Sequence, residues 1–77
     1  MDIKVLGSGC ANCRNTIALI EQVAAEQGVP VTLTKVQEMQ DIVAYGVMRT
    51  PGVVVDGKVV HAGGVPTRDK VAQWLAP

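Results

Sequence analysis

The sequence predicts an α/β domain whose elements run β-α-β-α-β-β-α, combining parallel and antiparallel strands in one sheet. Three observations carry that expectation. Apolar residues alternate up to Leu6 and switch to helical spacing after the break at Gly7-Ser8-Gly9. A β-branched segment from Val29 to Val36 follows the helical stretch directly. Asp56-Gly57 stands between two valine runs, the strongest short-range hairpin signal.

Ile3, Val5 and Leu6 are expected to supply one face of the first strand, and Gly7-Ser8-Gly9 ends it with a turn able to bend the backbone sharply. From Ala11 onward Cys13, Thr16, Ile17, Ile20, Val23 and Ala24 share one helical face, while Arg14, Asn15, Glu21, Gln22 and Glu26 share the other. Gly28 lies where a C-terminal cap is expected. This helix turns Cys13 inward and leaves Cys10 at the exposed tip. The alternation of Val31, Leu33 and Lys35 with Thr32, Thr34 and Val36 then marks a second strand. A strand-helix-strand unit makes it parallel to the first, through a right-handed crossover.

Met39, Ile42 and Val43 mark a short second helix ending at Gly46, with Glu38 and Asp41 in its first turn as the helix dipole favours. The two strands around Asp56-Gly57 are antiparallel neighbours, since both turn residues tolerate positive φ. Gly63-Gly64 breaks the last strand and Thr67 caps a final helix, whose buried stripe of Val71, Trp74 and Leu75 runs up to Pro77.

A chain of 77 residues makes a single domain, 1–77, near the lower size at which an apolar core suffices without a metal, extra disulfides or a partner. With no Phe, one Tyr, one Trp and fourteen Val, that core must be aliphatic. The seven basic and seven acidic residues are scattered and cancel, which removes the electrostatic footprint of a nucleic-acid binder. Met1 to Leu6 does not read as a secretory signal, and no apolar run approaches the roughly 18 residues needed to cross a bilayer. The expectation is a cytoplasmic protein with no membrane insertion, a monomer or a weak dimer paired through a sheet edge.

Chemistry is concentrated in Cys10-Ala11-Asn12-Cys13, which holds the only two cysteines. As a structural crosslink the pair is weak: closing a four-residue loop stabilises by only about 2 kcal/mol, against ~3 for fifteen residues. In a reducing compartment a lone CxxC is more often catalytic or metal-binding. Disulfide exchange needs an exposed thiolate and a second thiol that resolves the mixed disulfide, and a CxxC at a helix start supplies both. Cys10 is expected to attack and Cys13 to resolve. A helix dipole is worth about 0.3 to 2 kcal/mol, which lowers a thiol pKa of about 8.5 by roughly 0.2 to 1.5. With no His or Lys inside the motif, this predicts a moderately activated thiol and not a strong oxidant.

The element order, the CxxC at the first strand-helix junction and Thr50-Pro51 before the hairpin resemble a thioredoxin fold of minimal size. The chain is most similar to the small thioredoxin-like proteins called redox-active disulfide protein 2. Gly7 to Cys13 matches the active-site loop, and Tyr45 to Val60 matches the segment carrying the proline and hairpin. The resemblance implies a four-stranded mixed sheet flanked by helices, with Pro51 cis and packed beside the cysteines. Thr50 and Pro51 would then bind substrate backbone, and Gly63-Gly64 would let that chain approach closely. The chain departs from ordinary thioredoxins in having Gly9 where they have Trp and Ala11-Asn12 where they have Gly-Pro. Lys4 falls at the position of their buried acid.

The function expected is thiol-disulfide oxidoreductase, with no cofactor, a disulfide-containing or thiol protein as substrate, and a separate reductase the sequence does not name. The alternative is a soft-metal carrier that holds Cu(I) on the Cys10 and Cys13 thiolates, because such ions select thiolates whatever the fold. Small metallochaperones of the ferredoxin-like type also place CxxC between a strand and a helix, yet they run β-α-β-β-α-β and end on a strand. Tetrahedral zinc wants four ligands, and the chain offers two thiolates and His61. His61 is expected as a partly exposed strand residue, Met39 and Met48 as core filler, Tyr45 and Trp74 as structural plugs, and Lys4 on a solvated edge.

Overall fold

A computed structural model of the chain describes residues 1–76. Its elements are β1 (Asp2–Leu6), α1 (Ala11–Gln27), β2 (Thr32–Val36), α2 (Met39–Ala44), β3 (Gly52–Val55), β4 (Lys58–Ala62) and α3 (Arg68–Leu75), in the expected sequence. Pro77, expected at the end of the last helix, lies outside the described residues.

The four strands form one mixed sheet in the order β2-β1-β3-β4. β1 runs parallel to β2, with Ile3 opposite Leu33 and Val5 opposite Lys35. It runs antiparallel to β3, with Ile3 opposite Val55 and Val5 opposite Val53. β3 and β4 form the hairpin, and its turn residues Asp56 and Gly57 adopt φ of 48° and 86°, the left-handed pair that a tight two-residue hairpin requires. The turn is tied to the central strand twice: the Asp56 amide donates to the Asp2 carbonyl at 2.8 Å, and the Asp2 amide donates to the Asp56 carboxylate at 2.8 Å.

Because side chains alternate along a strand, β1 serves two cores. Ile3 and Val5 pack with Ile20, Val23 and Ala24 of α1, Val53, and Val71 and Leu75 of α3. Leu6, expected on their face, turns to the opposite one because neighbouring strand residues point to opposite sides, and there it meets Ile42 of α2 with Val47 and Val54. The result is a helix-sheet-helix sandwich with two helices on one side and one short helix on the other. α1 ends at Gly28 (φ 68°), where the Val29 amide reaches the Ala24 carbonyl at 3.0 Å and the Gly28 amide reaches Ala25 at 3.3 Å. That closure by a left-handed glycine satisfies carbonyls the helix leaves open. α3 begins at Thr67, whose hydroxyl accepts from the Lys70 amide at 3.2 Å.

Three expectations are corrected here. Met39 and Met48 are not core filler: they are 69% and 92% exposed, and Val43 joins them at the surface. α2 has six residues, and its burial runs through Ile42 toward the half-buried Tyr45, which leaves Met39 and Val43 on its outer shoulder. Lys4 is not on an edge either. β1 lies inside the sheet, and the Lys4 ammonium donates to the Tyr45 hydroxyl at 3.3 Å, with the Asp2 carboxylate 4.0 Å away. Tyr45 thus acquires the polar partner its ring position demands.

Candidate active site

The site forms where β1 ends and α1 begins. The Gly7 amide donates to the Val36 carbonyl at 2.9 Å, which extends the β1-β2 ladder to the edge of the loop. Gly9 then turns the chain with a φ of 85°. Cys10 takes the N-cap position in extended conformation (φ −68°, ψ 169°), and its carbonyl accepts the Arg14 amide at 3.0 Å. Cys13 follows one helical turn later on the inward face and is only 3% exposed, whereas Cys10 is exposed.

Both cysteines are free, and their sulfurs lie 2.9 Å apart in hydrogen-bond contact. The Cys13 thiol holds the Cys10 pKa below that of an ordinary cysteine, assisted by the Cys13 and Asn12 amides at the open helix start. Burial pushes the Cys13 thiol up, and the Cys10 sulfur beside it adds to that rise. The two shifts are opposite in sign: the outward Cys10 sulfur is the one that loses its proton more readily, and the inward Cys13 sulfur the one that keeps it.

Gly7 sets how closely Cys13 can approach the sheet. A Cβ built on Gly7 would overlap the Cys13 sulfur and would sit 3.6 Å from the Thr50 Cβ. The cysteine turn and the Thr50-Pro51 segment therefore converge on one glycine. Thr50 is exposed and Pro51 buried, the peptide bond between them is cis, and the Pro51 carbonyl accepts the Gly63 amide at 2.9 Å. Gly63, at φ 87°, rests against Arg49, whose side-chain carbons lie 3.2 Å from the position of an added Cβ. Gly64 has open space around it, and its carbonyl lies 2.9 Å from His61 Nε2.

His61 sits on β4 as a part-exposed strand residue, opposite Val53 and tilted against the Trp74 ring at 5.9 Å. Among the described residues no group of three or more His, Cys, Asp and Glu is gathered where a metal ion could be held. Nor is any helix among them long and apolar enough to cross a membrane.

Two features of the site were not legible in the sequence. Arg14, placed by periodicity simply on the outer face, donates from Nη1 to the Gly9 carbonyl at 2.7 Å and so braces the loop before Cys10. Gly7 is there for close approach to a sulfur, while the sequence suggested only a flexible turn. A small cavity of about 180 Å³ opens beside Cys13, bordered by Gly9, Arg14, Lys35 and Gln37. A larger cavity of about 450 Å³ lies over Lys4 and Tyr45 and includes neither cysteine.

The family model described as Thioredoxin domain matches residues 1–76. The chain belongs to the thioredoxin family. It is similar to a thioredoxin of Methanothermobacter thermautotrophicus, with 30% identity over 76 residues that cover 99% of each chain. It is also similar to a thioredoxin of Methanocaldococcus jannaschii, with 29% identity over 73 residues, 95% of this chain and 84% of that one. The four-stranded mixed sheet with three helices is a thioredoxin-like fold. Membership supports a thiol-disulfide oxidoreductase role acting on thiol proteins.

Proposed function

We propose that the protein is a thiol-disulfide oxidoreductase that works through a Cys10-Cys13 dithiol/disulfide couple. The observation that carries this reading is the polarised pair itself: an exposed sulfur with lowered pKa, 2.9 Å from a buried sulfur with raised pKa. The Cys10 thiolate attacks one sulfur of a substrate disulfide, forming a mixed disulfide and releasing the other substrate sulfur as thiolate, which takes up a proton. Cys13 then gives up its proton and attacks the Cys10 sulfur. The Cys10-Cys13 disulfide forms, the second substrate thiol leaves, and two electrons have passed to the substrate. A dithiol of a partner protein resets the pair by two exchanges: one of its thiolates attacks the Cys10-Cys13 disulfide to give a mixed disulfide, and its second thiolate resolves that, leaving the partner as a disulfide and both cysteines as thiols.

Thr50 and Pro51 form the wall of the substrate groove in this reading, with Gly63 and Gly64 behind them. Pro51 has no amide to compete for the substrate, and its carbonyl is already taken by Gly63, so the free backbone groups of exposed Thr50 remain for an extended chain. A free dithiol with no other cysteine in the chain suits the cytoplasm, a reducing compartment. The moderate reactivity expected of the pair rests on local hydrogen bonds, the Cys13 thiol contributing most.

The same two free thiols give a soft ion such as Cu(I) a two-coordinate site, and this is the runner-up. Equilibration with glutathione buffers of graded redox poise, followed by counting free thiols, separates the two. The oxidoreductase reading predicts a single two-electron transition between two thiols and one intramolecular disulfide. A pair that never closes that disulfide, and holds Cu(I) stoichiometrically against excess glutathione, overturns it.

A further inference from the structure

The small cavity beside Cys13 is bordered by charges of one sign. Arg14, Lys35 and Gln37 supply its polar side chains, and no carboxylate lines it. Lys35 stands opposite Val5 on the edge strand β2, exposed beside the strand that leads to the cysteines. The Gln37 side-chain nitrogen lies 3.6 Å from where a Cβ on Gly9 would stand, so its carboxamide reaches the loop before Cys10. Arg14 uses one N–H on the Gly9 carbonyl and keeps its other guanidinium donors. On the other side of the site Arg49, which precedes Thr50, rests its side-chain carbons against Gly63.

A chain of zero net charge thus brings three of its seven basic residues to the cysteines and the Thr50-Pro51 segment. Among the described residues the salt bridges are Lys4 with Asp2 and Arg68 with Glu26, so Arg14, Lys35 and Arg49 have no carboxylate partner. The acids lie elsewhere. Asp2 and Asp56 meet at the start of β1, the end remote from the cysteines, and Glu26 stands near the end of α1. Glu38, next in the chain to Gln37, does not border the cavity.

We propose that the Cys10-Cys13 site selects disulfides carried on acidic peptide segments, with Arg14 and Lys35 taking up a carboxylate beside the half-cystine. This rests on the oxidoreductase reading and adds its substrate class. Cys10 forms its bond to the flanked sulfur and the substrate S–S bond breaks, as in the exchange above. The Arg14 fork matches the two oxygens of a carboxylate, and Lys35 adds a compact charge. An exposed ion pair changes a rate by about 1.4- to 5-fold, so the two together favour an acidic substrate by about 2- to 25-fold.

The test offers the reduced protein three disulfide-linked peptide dimers, Gly-Xaa-Cys-Xaa-Gly with blocked ends and Xaa as Glu, Gln or Lys. The rate at which the Cys10-Cys13 disulfide appears is measured, and each Glu-to-Gln ratio is divided by the ratio that mercaptoethanol gives, which cancels the peptides' intrinsic reactivity. At about 0.01 M salt the wild type is expected to prefer the Glu peptide by about 2- to 25-fold and to take the Lys peptide slowest. The preference is expected to collapse at about 1 M salt, where the screening length falls from about 30 Å to about 3 Å. Lys35→Gln should cut the ratio by about 1.4- to 5-fold, Lys35→Glu should turn the preference toward the Lys peptide, and Lys35→Arg should keep it. Arg14→Gln also removes the brace on Gly9, which slows all three peptides alike, but the ratio reads only the lost charge. A wild-type ratio of one, or a ratio unmoved by Lys35→Glu, overturns the proposal and leaves the oxidoreductase reading intact. If none of the three peptides oxidises the pair, the oxidoreductase reading fails first and the proposal falls with it.

Discussion

Gly7 and the Cys13 sulfur occupy space that cannot also hold a Cβ. The end of β1 and the first turn of α1 are thereby locked together at the Cys13 thiol, and Thr50 approaches the same glycine.

Gly7→Ala forces the Cys13 sulfur or the strand end to move. Overpacking of a well-filled interior typically costs about 1 to 3 kcal/mol, and that is the loss expected in denaturant unfolding of the reduced protein. The neighbouring Ser8→Ala, at an exposed position, is expected to stay within about 0.5 kcal/mol of wild type. Because Cys13 is displaced, Gly7→Ala should also slow closure of the Cys10-Cys13 disulfide, measured by trapping free thiols after a pulse of oxidised glutathione.

The two cysteines respond to pH in opposite directions. The folded Cys10 pKa lies below its unfolded value, so its thiolate contributes stability that is full above the unfolded pKa and is lost as pH falls through the folded one. Cys13 is raised, so the unfolded chain gives up that proton first, and the reduced protein loses stability as pH climbs through the ordinary cysteine value of about 8.5. Alkylation should accordingly reach its half-maximal rate at Cys10 below that value while Cys13 stays unmodified. The largest cause of the Cys10 shift is the Cys13 thiol, so Cys13→Ala should move the Cys10 midpoint up toward that of a free cysteine.

Leu75 and Met48 make a paired test of where the core lies. Leu75 is buried between α3, α1 and the sheet, and Leu75→Ala is expected to cost about 2 to 5 kcal/mol, a large fraction of what a domain this small possesses. Met48, at 92% exposure, buries nothing of consequence, and Met48→Ala should stay within about 0.5 kcal/mol. Thermal or denaturant unfolding of the two variants reads both.

Local signals in the sequence were enough for the architecture. Gly28, Asp56-Gly57 and Thr67 each do what their backbone chemistry dictates, whereas Leu6, expected beside Ile3 and Val5, lies across the sheet from them. The exposed tip of Cys10 and the buried position of Cys13 follow from helical period alone. Periodicity tells which way a side chain points, but not whether anything lies there to cover it. Met39 and Val43 fall on a helical face that so short a helix leaves uncovered, and Met48 lies in a loop beyond it. The place of Lys4 has a different origin: whether a strand is central or at an edge depends on pairing between distant segments, here β1 with both β2 and β3. The reason for Gly7 likewise needs three-dimensional proximity to a sulfur six residues away.

The division of labour between the two thiols is tested most directly by incubating Cys13→Ser and Cys10→Ser with oxidised glutathione and weighing the products by mass spectrometry. Cys13→Ser should accumulate a single glutathione adduct on Cys10 that cannot be resolved internally, while Cys10→Ser, left with its buried and raised Cys13, should react far more slowly. A rapid adduct on Cys13 together with an inert Cys10 would contradict the assignment of attacking and resolving sulfur.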